Sequence, residues 1–295
     1  MKKFFFLTAL FFLLQAFLPL SGQEGMTEKE KLKRAKAWEG VRRLGKQGSG
    51  ILSLLDAESN HKGTLFSGGR LTEKPLKKDT LLPSSVNIFL IHAKKKLFLV
   101  DTGFGGKKGA LAARLALLDV KKEKIYGILL THVHPDHIGG LLQEDGKKAA
   151  FPKAQLYISR KEYNWNIRRS APLYSVFTRI RQAYHGRIRV LEAGENIEGL
   201  FTVLDAAGHT PGHTVYQYKD ILFTGDLLHA ASLQFEDPAI CAAYDMDKKE
   251  AVAARKKFFE LAVGKALKIA GAHIPFPGFG TLHKEGNSYS FTPAE

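Results

Sequence analysis

The chain has 295 residues, 44% of them hydrophobic and 25% charged, which is typical of a soluble globular protein with an ample core. Its 44 Lys and Arg against 29 Asp and Glu give a net charge of +15. The basic residues are scattered and match no nucleic-acid-binding motif, so we expect no nucleic-acid partner and a solvated surface that could touch an anionic membrane or cell wall. The single cysteine, Cys241, excludes an internal disulfide and a Cys-rich zinc site, so any metal must be held by His and carboxylate side chains.

The amino terminus predicts a signal peptide over residues 1–22. Lys2 and Lys3 form its charged end and residues 4–20 its apolar run. That run is at the short limit for a membrane span, so an uncleaved anchor is the alternative. Residues 23–46 are polar and basic and are interpreted as a linker or arm, followed by one domain over residues 47–295. We therefore expect an exported protein, periplasmic or secreted, with no stable membrane span once the leader is cleaved.

Strand patterns and helix patterns alternate from about residue 50 onward. The strands are predicted from apolar or alternating runs at 86–93, 96–103, 125–132, 154–159, 201–210, 214–226 and 267–273, with a closing hairpin over 279–293. Helices are predicted at 109–120, where Leu111, Leu115 and Leu118 share a stripe, and after two capping-box patterns, Ser159 with Glu162 and Asp247 with Glu250. This alternation predicts one α/β domain with mixed strands.

The segment "ILLTHVHPDHIGGLL", residues 128–142, crowds metal-ligand side chains into one turn. His132 and His134 project to the same side of an extended chain, and Asp136 and His137 face the same spot from the start of a helix. Four ligands of two chemical types are too many for one zinc that must also keep an open position, so they suit two adjacent metals. A solvated His-rich turn is the alternative.

Further candidate ligands follow other predicted strands. His209 and His213 lie in "AAGHTPGHT", Asp226 ends "ILFTGD", and His273 ends "LKIAGAH". Asp101 ends the strand "LFLVD". The pattern predicts a site where the carboxyl ends of several strands meet.

The motifs "THVHPDH", "TPGHT", "TGD" and "GAH", in this order, resemble the metallo-β-lactamase superfamily over roughly residues 50–290. The resemblance implies a four-layer αβ/βα sandwich and two divalent metal ions per chain, with Zn as the first choice and Fe or Mn as alternatives. It implies that three histidines hold one metal, that a second trio holds the other, and that Asp226 bridges them. The first trio is His132, His134 and His213, and the second is Asp136, His137 and His273. Asp101 and His209 are expected to support the ligands rather than bind metal.

The carboxyl-terminal third resembles methyl parathion hydrolase and its exported relatives within that superfamily. This implies a hydrolase of a small lactone, aryl ester or phosphotriester, in which Asp136 orients the attacking water and Asp226 bridges the metals. A homodimer is common among such relatives. Three alternatives are kept: a phosphodiesterase acting on nucleotides or nucleic acid, a non-enzymatic exported module that binds metal or a surface, and an oxidoreductase with two irons.

An apolar substrate pocket is predicted from aromatic residues near the ligand-bearing strand ends, with the interior of the protein as the ordinary alternative for each. The six candidates are Phe104, Trp165, Phe177, Phe235, Phe276 and Phe279. His229, three residues after Asp226, could approach the site, whereas His61, His92, His185 and His283 are expected to have ordinary surface or hydrogen-bonded roles.

Overall fold

A computed structural model of the protein describes residues 38–44 and 50–294. The predicted signal peptide, residues 1–22, and most of the predicted arm, residues 23–46, lie outside the described residues. The compact unit is Gly40–Glu295, and the strand Val41–Arg43 within the predicted arm already belongs to it. No helix among the described residues has the length and apolar content that a membrane crossing requires.

Two seven-stranded sheets form the frame of this unit. In the first sheet the first four strands pair antiparallel and the last four run parallel. Its strands, in spatial order, are β1 (Val41–Arg43), β2 (Ile51–Lys62), β4 (Leu81–Ala93), β5 (Lys96–Val100), β6 (Ile125–Leu129), β7 (Gln155–Ser159) and β8 (Ile188–Leu191).

The second sheet is antiparallel except for one parallel pair in its middle, β12 with β14. In spatial order its strands are β16 (Ser288–Pro293), β15 (Phe279–Glu285), β14 (Lys268–Gly271), β12 (Ile221–Gly225), β11 (Thr214–Tyr218), β10 (Phe201–Asp205) and β9 (Asn196–Ile197). A separate two-stranded ribbon pairs β3 (Phe66–Ser67) with β13 (Cys241–Ala242), and we call it the ribbon.

The helices are α1 (Leu111–Leu117), α2 (Pro135–Ile138), α3 (Arg160–Asn166), α4 (Tyr174–Ala183), α5 (Ala231–Gln234) and α6 (Lys248–Gly264). Both predicted capping boxes supply the first hydrogen bond of a helix. The Ser159 side chain accepts the Glu162 N–H at 3.2 Å, and Asp247 accepts the Glu250 N–H at 2.9 Å. The helix that opens at Ser159 ends at Asn166, before Pro172.

The two sheets pack face to face through aromatic side chains. Phe89 of β4 meets Phe223 of β12 at a ring-centroid distance of 5.3 Å, and Phe98 of β5 meets Phe201 of β10 at 5.1 Å. Phe258 and Phe259 of α6 pack on the other face of the second sheet. Helices α1 and α4 bury Leu111, Leu115, Phe177 and Ile180. The four-layer αβ/βα sandwich predicted from the sequence is confirmed.

The parallel strand pairs decide where the functional side chains gather. Asp101 follows β5 and His132 closely follows β6, the strand parallel to it. Asp226 follows β12, and His273 closely follows its parallel neighbour β14. Because parallel neighbours end at the same edge of a sheet, each pair delivers its polar residues to one place.

Candidate metal centre

Three imidazole nitrogens and one carboxylate oxygen form the first group of candidate ligands: His132, His134, His209 and Asp226, with all four atoms within 4.8 Å of one another. His134 Nδ1 lies 2.9 Å from His132 Nε2 and 3.0 Å from His209 Nε2. Asp226 Oδ2 lies 3.2 Å from His209 Nε2. Four ligand atoms therefore surround one small volume.

The second group is made up of Asp136, His137 and His273. The Asp136 carboxylate is 3.8 Å from His137 Nε2 and 3.4 Å from His273 Nε2. Asp226 Oδ1 is 3.0 Å from His137 Nε2, while its Oδ2 is 3.2 Å from His273 Nε2. Asp226 thus lies between the two groups and has an oxygen within reach of each.

Asp101 lies behind His137, as expected of a residue that supports a ligand. One of its oxygens is 2.8 Å from His137 Nδ1, which directs the opposite nitrogen, Nε2, toward Asp226. The carboxylate also accepts the backbone N–H and the hydroxyl of Thr131. Asp101 has a left-handed backbone, φ +61°, which Asp tolerates better than most residues.

The structure does not bring His213 into either group, which corrects the ligand predicted from the sequence. Its Nδ1 donates to the Ala206 carbonyl at 3.2 Å, and its Nε2 accepts the backbone N–H of Asp226 at 2.9 Å. Both ring nitrogens are therefore engaged with the backbone. Gly225 makes room for this contact, because a Cβ there would lie 2.7 Å from His213 Nε2. His209, predicted as a supporting residue, takes the place assigned to His213.

Two further residues at the centre were not assigned from the sequence. His229 Nε2 lies 3.1 Å from Asp226 Oδ2, and Asp245 Oδ1 lies 3.0 Å from His209 Nδ1. The position of His229, three residues after Asp226, could have indicated from the sequence that it lies at the centre. Asp245 lies 36 residues from His209, and no motif connects them.

Burial and neighbouring charges shift the pKa values of the histidines in opposite directions. Burial, together with the charge on His209, lowers the pKa of His134 to about 4, and burial lowers the pKa of His132 well below its ordinary value. Burial acts in the same direction on His209, but hydrogen bonds to Asp226 and Asp245 raise its pKa to about 9. Burial disfavours the charged form of Asp226, yet the surrounding imidazoles hold its pKa well below the ordinary range. Asp226 is thus a buried anion whose charge the surrounding imidazoles stabilise.

The donor set fits divalent metal ions. The buried atoms His137 Nε2 and Asp226 Oδ1 lie 3.0 Å apart but form no hydrogen bond with each other or with another group, although leaving a buried polar atom unpaired is costly. Imidazole nitrogens and carboxylate oxygens without thiolates suit Zn, Fe or Mn. An ion between the two groups would give these unpaired atoms a partner.

The Glu162 carboxylate connects two loops that carry candidate ligands. Its buried carboxylate accepts the Val133 N–H, between two candidate ligands, and the Thr210 hydroxyl, next to His209. It also accepts the Gly212 N–H and an Asn166 side-chain N–H. One carboxylate on α3 thereby ties the loop after β6 to the loop after β10.

A cavity of about 310 Å³ opens onto the centre. Its lining combines candidate ligands with side chains from more distant parts of the chain: His61, His134, Pro135, Asp136, His209, Asp226, His229, Tyr244 and His273. None of the six aromatic residues predicted for the substrate pocket is in this lining, so the role predicted for them stays a prediction.

The six aromatic residues have other surroundings. Phe104 lines a second cavity, and Phe235, Phe276 and Phe279 line a third. Trp165 on α3 packs beneath the Arg168 guanidinium, and Phe177 on α4 is buried against Tyr163. Phe235, Phe279 and Phe177 are at most 5% exposed, so the ordinary alternative, the protein interior, holds for those three.

A family model described as the metallo-beta-lactamase superfamily matches residues 81–273. The chain belongs to the metallo-β-lactamase superfamily. The match begins in β4 and ends at His273, so it contains both groups of candidate ligands.

Solved structures with the same fold include two that align with almost their whole length. The hydrolase AbOPH, of the beta lactamase superfamily, shares 30% sequence identity at a TM-score of 0.76, covering 87% of this chain and 98% of that one. AidC, a dizinc quorum-quenching lactonase solved with the product N-hexnoyl-L-homoserine, shares 24% at a TM-score of 0.75, with the same coverage. The second likeness shows the fold alone.

Curated relatives match shorter stretches. Hydroxyacylglutathione hydrolase of Aeromonas hydrophila subsp. hydrophila is 33% identical over 147 residues, 49% of this chain and 47% of the relative. Exodeoxyribonuclease WalJ of Streptococcus pneumoniae is 45% identical over 58 residues, 20% of this chain and 21% of the relative. The chain spans about half the length of the first of these and about a fifth of the second.

Proposed function

We propose that the chain is a hydrolase that uses two divalent metal ions, with zinc as the first choice, to cleave a lactone, aryl ester or phosphotriester. The observation that carries the proposal is the position of Asp226 between two groups of imidazole and carboxylate ligands at the base of a cavity. The likeness to AbOPH, a hydrolase of the beta lactamase superfamily, supports the reaction class.

In this proposal His132, His134 and His209 would hold one ion, Asp136, His137 and His273 would hold the other, and Asp226 would contribute to both. Two such ions, when bound, supply Lewis acidity toward water and toward the substrate oxygen. The protein contributes a rigid, buried arrangement, since Asp101, Asp245 and the Ser85 carbonyl fix the far nitrogens of His137, His209 and His273.

Asp136 orients the attacking water. Its side chain is 21% exposed, the most accessible of the proposed carboxylate ligands, and it lines the cavity. Burial disfavours its charged form, but His137 and His273 keep its pKa below the ordinary value. An ionised carboxylate facing the cavity accepts the water proton and can later return it to the leaving group.

The dimensions and charge of the cavity favour a small substrate over nucleic acid. Its volume of about 310 Å³ suits a compact ligand. Among the described residues, its lining contains no Lys or Arg, whereas phosphodiester backbones are gripped by such side chains. A thioester is the second candidate substrate, because the hydroxyacylglutathione hydrolase match covers about half of this chain.

Metal analysis of the purified protein, paired with a hydrolysis panel, tests the proposal. The panel holds an acyl-homoserine lactone, an aryl ester, methyl parathion, a hydroxyacyl thioester, a cephalosporin and bis-p-nitrophenyl phosphate. We expect about two metals per chain and turnover of the lactone, aryl ester or phosphotriester. Asp226→Ala should abolish turnover, while Asp79→Ala, at an exposed position, should not. Two metals with turnover of the phosphodiester alone would favour the nucleic-acid alternative, and the absence of metal and turnover would refute the proposal.

A further inference from the structure

The ribbon brings together two side chains that no sequence motif connects. β3 pairs with β13 through Ser67 opposite Cys241 and Phe66 opposite Ala242, and the Ala243 N–H extends the contact to the Leu65 carbonyl. His61, near the end of β2, and Tyr244, beyond β13, are thereby neighbours across 183 residues of chain. The Tyr244 hydroxyl lies 2.8 Å from His61 Nδ1.

This pair lies directly beside the candidate metal centre. The His61 ring is 5.9 Å from the His273 ring and 6.1 Å from the His229 ring, measured between centroids. Tyr244 is 5.0 Å from the His229 ring by the same measure. Both side chains line the cavity that contains Asp136 and Asp226. Both side chains therefore belong to the wall of the space in which a substrate would meet the centre.

The hydrogen bonding leaves one nitrogen of His61 without a partner. A phenol hydroxyl donating to Nδ1 requires that the neutral imidazole carry its hydrogen on Nε2. That Nε2 is buried and has no hydrogen-bond partner. His61 also belongs to none of the ligand groups found among the described residues, so metal binding does not account for the unpaired atom. An unpaired donor on a side chain that lines a cavity gains a partner when a substrate oxygen comes within its reach.

We propose that His61 donates a hydrogen bond through Nε2–H to the substrate oxygen on which negative charge develops, and that Tyr244 is the positioning residue that orients its imidazole. The inference rests on the proposed function, because it names side chains that meet the substrate at the same cavity. His61 would act as a preorganised donor, the kind of group that contributes most when charge forms in a site shielded from water.

An oxygen-to-sulfur comparison tests this role. Turnover is measured for dimethyl p-nitrophenyl phosphate and for its phosphorothioate, whose sulfur accepts hydrogen bonds weakly. In His61→Leu we expect kcat for the phosphate to fall about 100-fold, with a much smaller loss for the phosphorothioate and an unchanged metal content. His61→Gln, whose amide N–H can stand near the position of Nε2, should recover part of the loss.

Tyr244→Phe tests the positioning residue, with Tyr174→Phe as the matched control, since Tyr174 is on α4 and is absent from the cavity lining. We expect Tyr244→Phe to lower kcat for the phosphate and to have almost no further effect in a His61→Leu background, because residues that act through one another are not additive. Equal losses for the phosphate and the phosphorothioate in His61→Leu would indicate a merely structural role and would overturn the inference.

Binding of dimethyl phosphate, measured by calorimetry on the same proteins, separates this inference from the proposed function because it needs no turnover. About tenfold weaker binding by His61→Leu than by the wild type would support the hydrogen bond even if the wild type hydrolysed nothing in the panel. Equal binding of this anion by both proteins would count against the role of His61. A wild type that binds metal and the anion but has no hydrolytic activity would count only against the proposed function.

Discussion

Two histidines four residues apart, His209 and His213, differ in what their ring nitrogens contact. They stand in the nearly repeated sequence "GHTPGH", and both follow the strand β10. His209 Nε2 faces Asp226, whereas His213 Nε2 accepts the Asp226 backbone N–H. Each is preceded by Gly and followed by Thr, so the immediate sequence does not distinguish the proposed ligand from the histidine that contacts the backbone of Asp226.

Single substitutions should separate these two roles. His209→Ala removes a proposed ligand, so we expect the metal content to fall by about one ion per chain. His213→Gln leaves the proposed ligands in place but disturbs buried hydrogen bonds, and we expect a loss of about 1–3 kcal/mol in the free energy of unfolding with the metal retained. Elemental analysis and urea denaturation measure both quantities. Loss of metal from His213→Gln with full occupancy in His209→Ala would restore the assignment made from the sequence.

Metal binding should release protons, because His209 is charged at neutral pH without an ion. Burial opposes its charge, but the hydrogen bonds to Asp226 and Asp245 raise its pKa to about 9, above the value of 6.5 for a free imidazole. Its proton therefore stabilises the metal-free fold below about pH 6.5, and this contribution is lost as the pH rises through about 9. Since a metal needs the neutral imidazole, the apparent metal affinity should rise roughly tenfold or more per pH unit from neutrality to about pH 9.

Titration calorimetry in buffers of different ionisation enthalpy measures that proton release. At pH 7 the observed heat should change with the buffer, in proportion to at least about one proton per chain. A heat and an affinity that do not depend on buffer or pH would contradict the pKa assigned to His209.

At the scale of elements, a buried carboxylate connects two loops that carry proposed ligands. Glu162 accepts hydrogen bonds from Val133 and Gly212, in the loops that follow β6 and β10. The neutral Glu162→Gln turns one acceptor into a donor that faces other donors, so we expect a cost of about 1–3 kcal/mol in the free energy of unfolding. Glu192→Gln is the matched control, since the Glu192 side chain is exposed and its carboxylate contacts the exposed Arg160; a change within about 0.5 kcal/mol is expected. Similar effects of both variants in chemical denaturation would show that the buried carboxylate does not stabilise the fold.

Elements with strong local patterns could be predicted from the sequence, and elements held by distant contacts could not. The β4–β5 hairpin, the β15–β16 hairpin and both capping boxes follow from alternation and short spacings. The ribbon has only two residues in each strand, too few for any periodicity, and it exists because the second strand returns to Phe66 from far along the chain. The side chains it positions, His61 and Tyr244, were missed for the same reason.

At the scale of the whole molecule, the proposed metals would link the two sheets, because each sheet contributes ligands. His132 and Asp136 follow the first sheet, whereas Asp226 and His273 follow the second, and the aromatic contacts between Phe89 and Phe223 are a separate link. An ion that binds only the folded chain stabilises it by mass action, about 2.7 kcal/mol at a free concentration 100 times its Kd.

Chelation should therefore lower the thermal stability of the wild type. We expect a fall in Tm of several degrees, as about 2–3 kcal/mol implies for a domain of this size. Asp226→Asn, which weakens the link between the two groups, should start from a lower Tm and respond less to the chelator. Differential scanning fluorimetry with and without chelator provides the comparison, and an unchanged wild-type Tm after complete metal removal would contradict a role of the ions in joining the sheets.

The loops that carry the proposed ligands and the side chains near the ribbon differ in how freely their sequence can change. The ligand loops are confined by close backbone approaches, such as Gly139 against the Phe104 carbonyl, where a Cβ would lie at 2.0 Å. The ribbon, in contrast, joins two chain segments that contribute no proposed ligand, and the neighbouring residues His61 and Tyr244 line the cavity. If the proposed roles hold, substitution of these two side chains should change the preference for one electrophile over another while the proposed metal ligands stay in place.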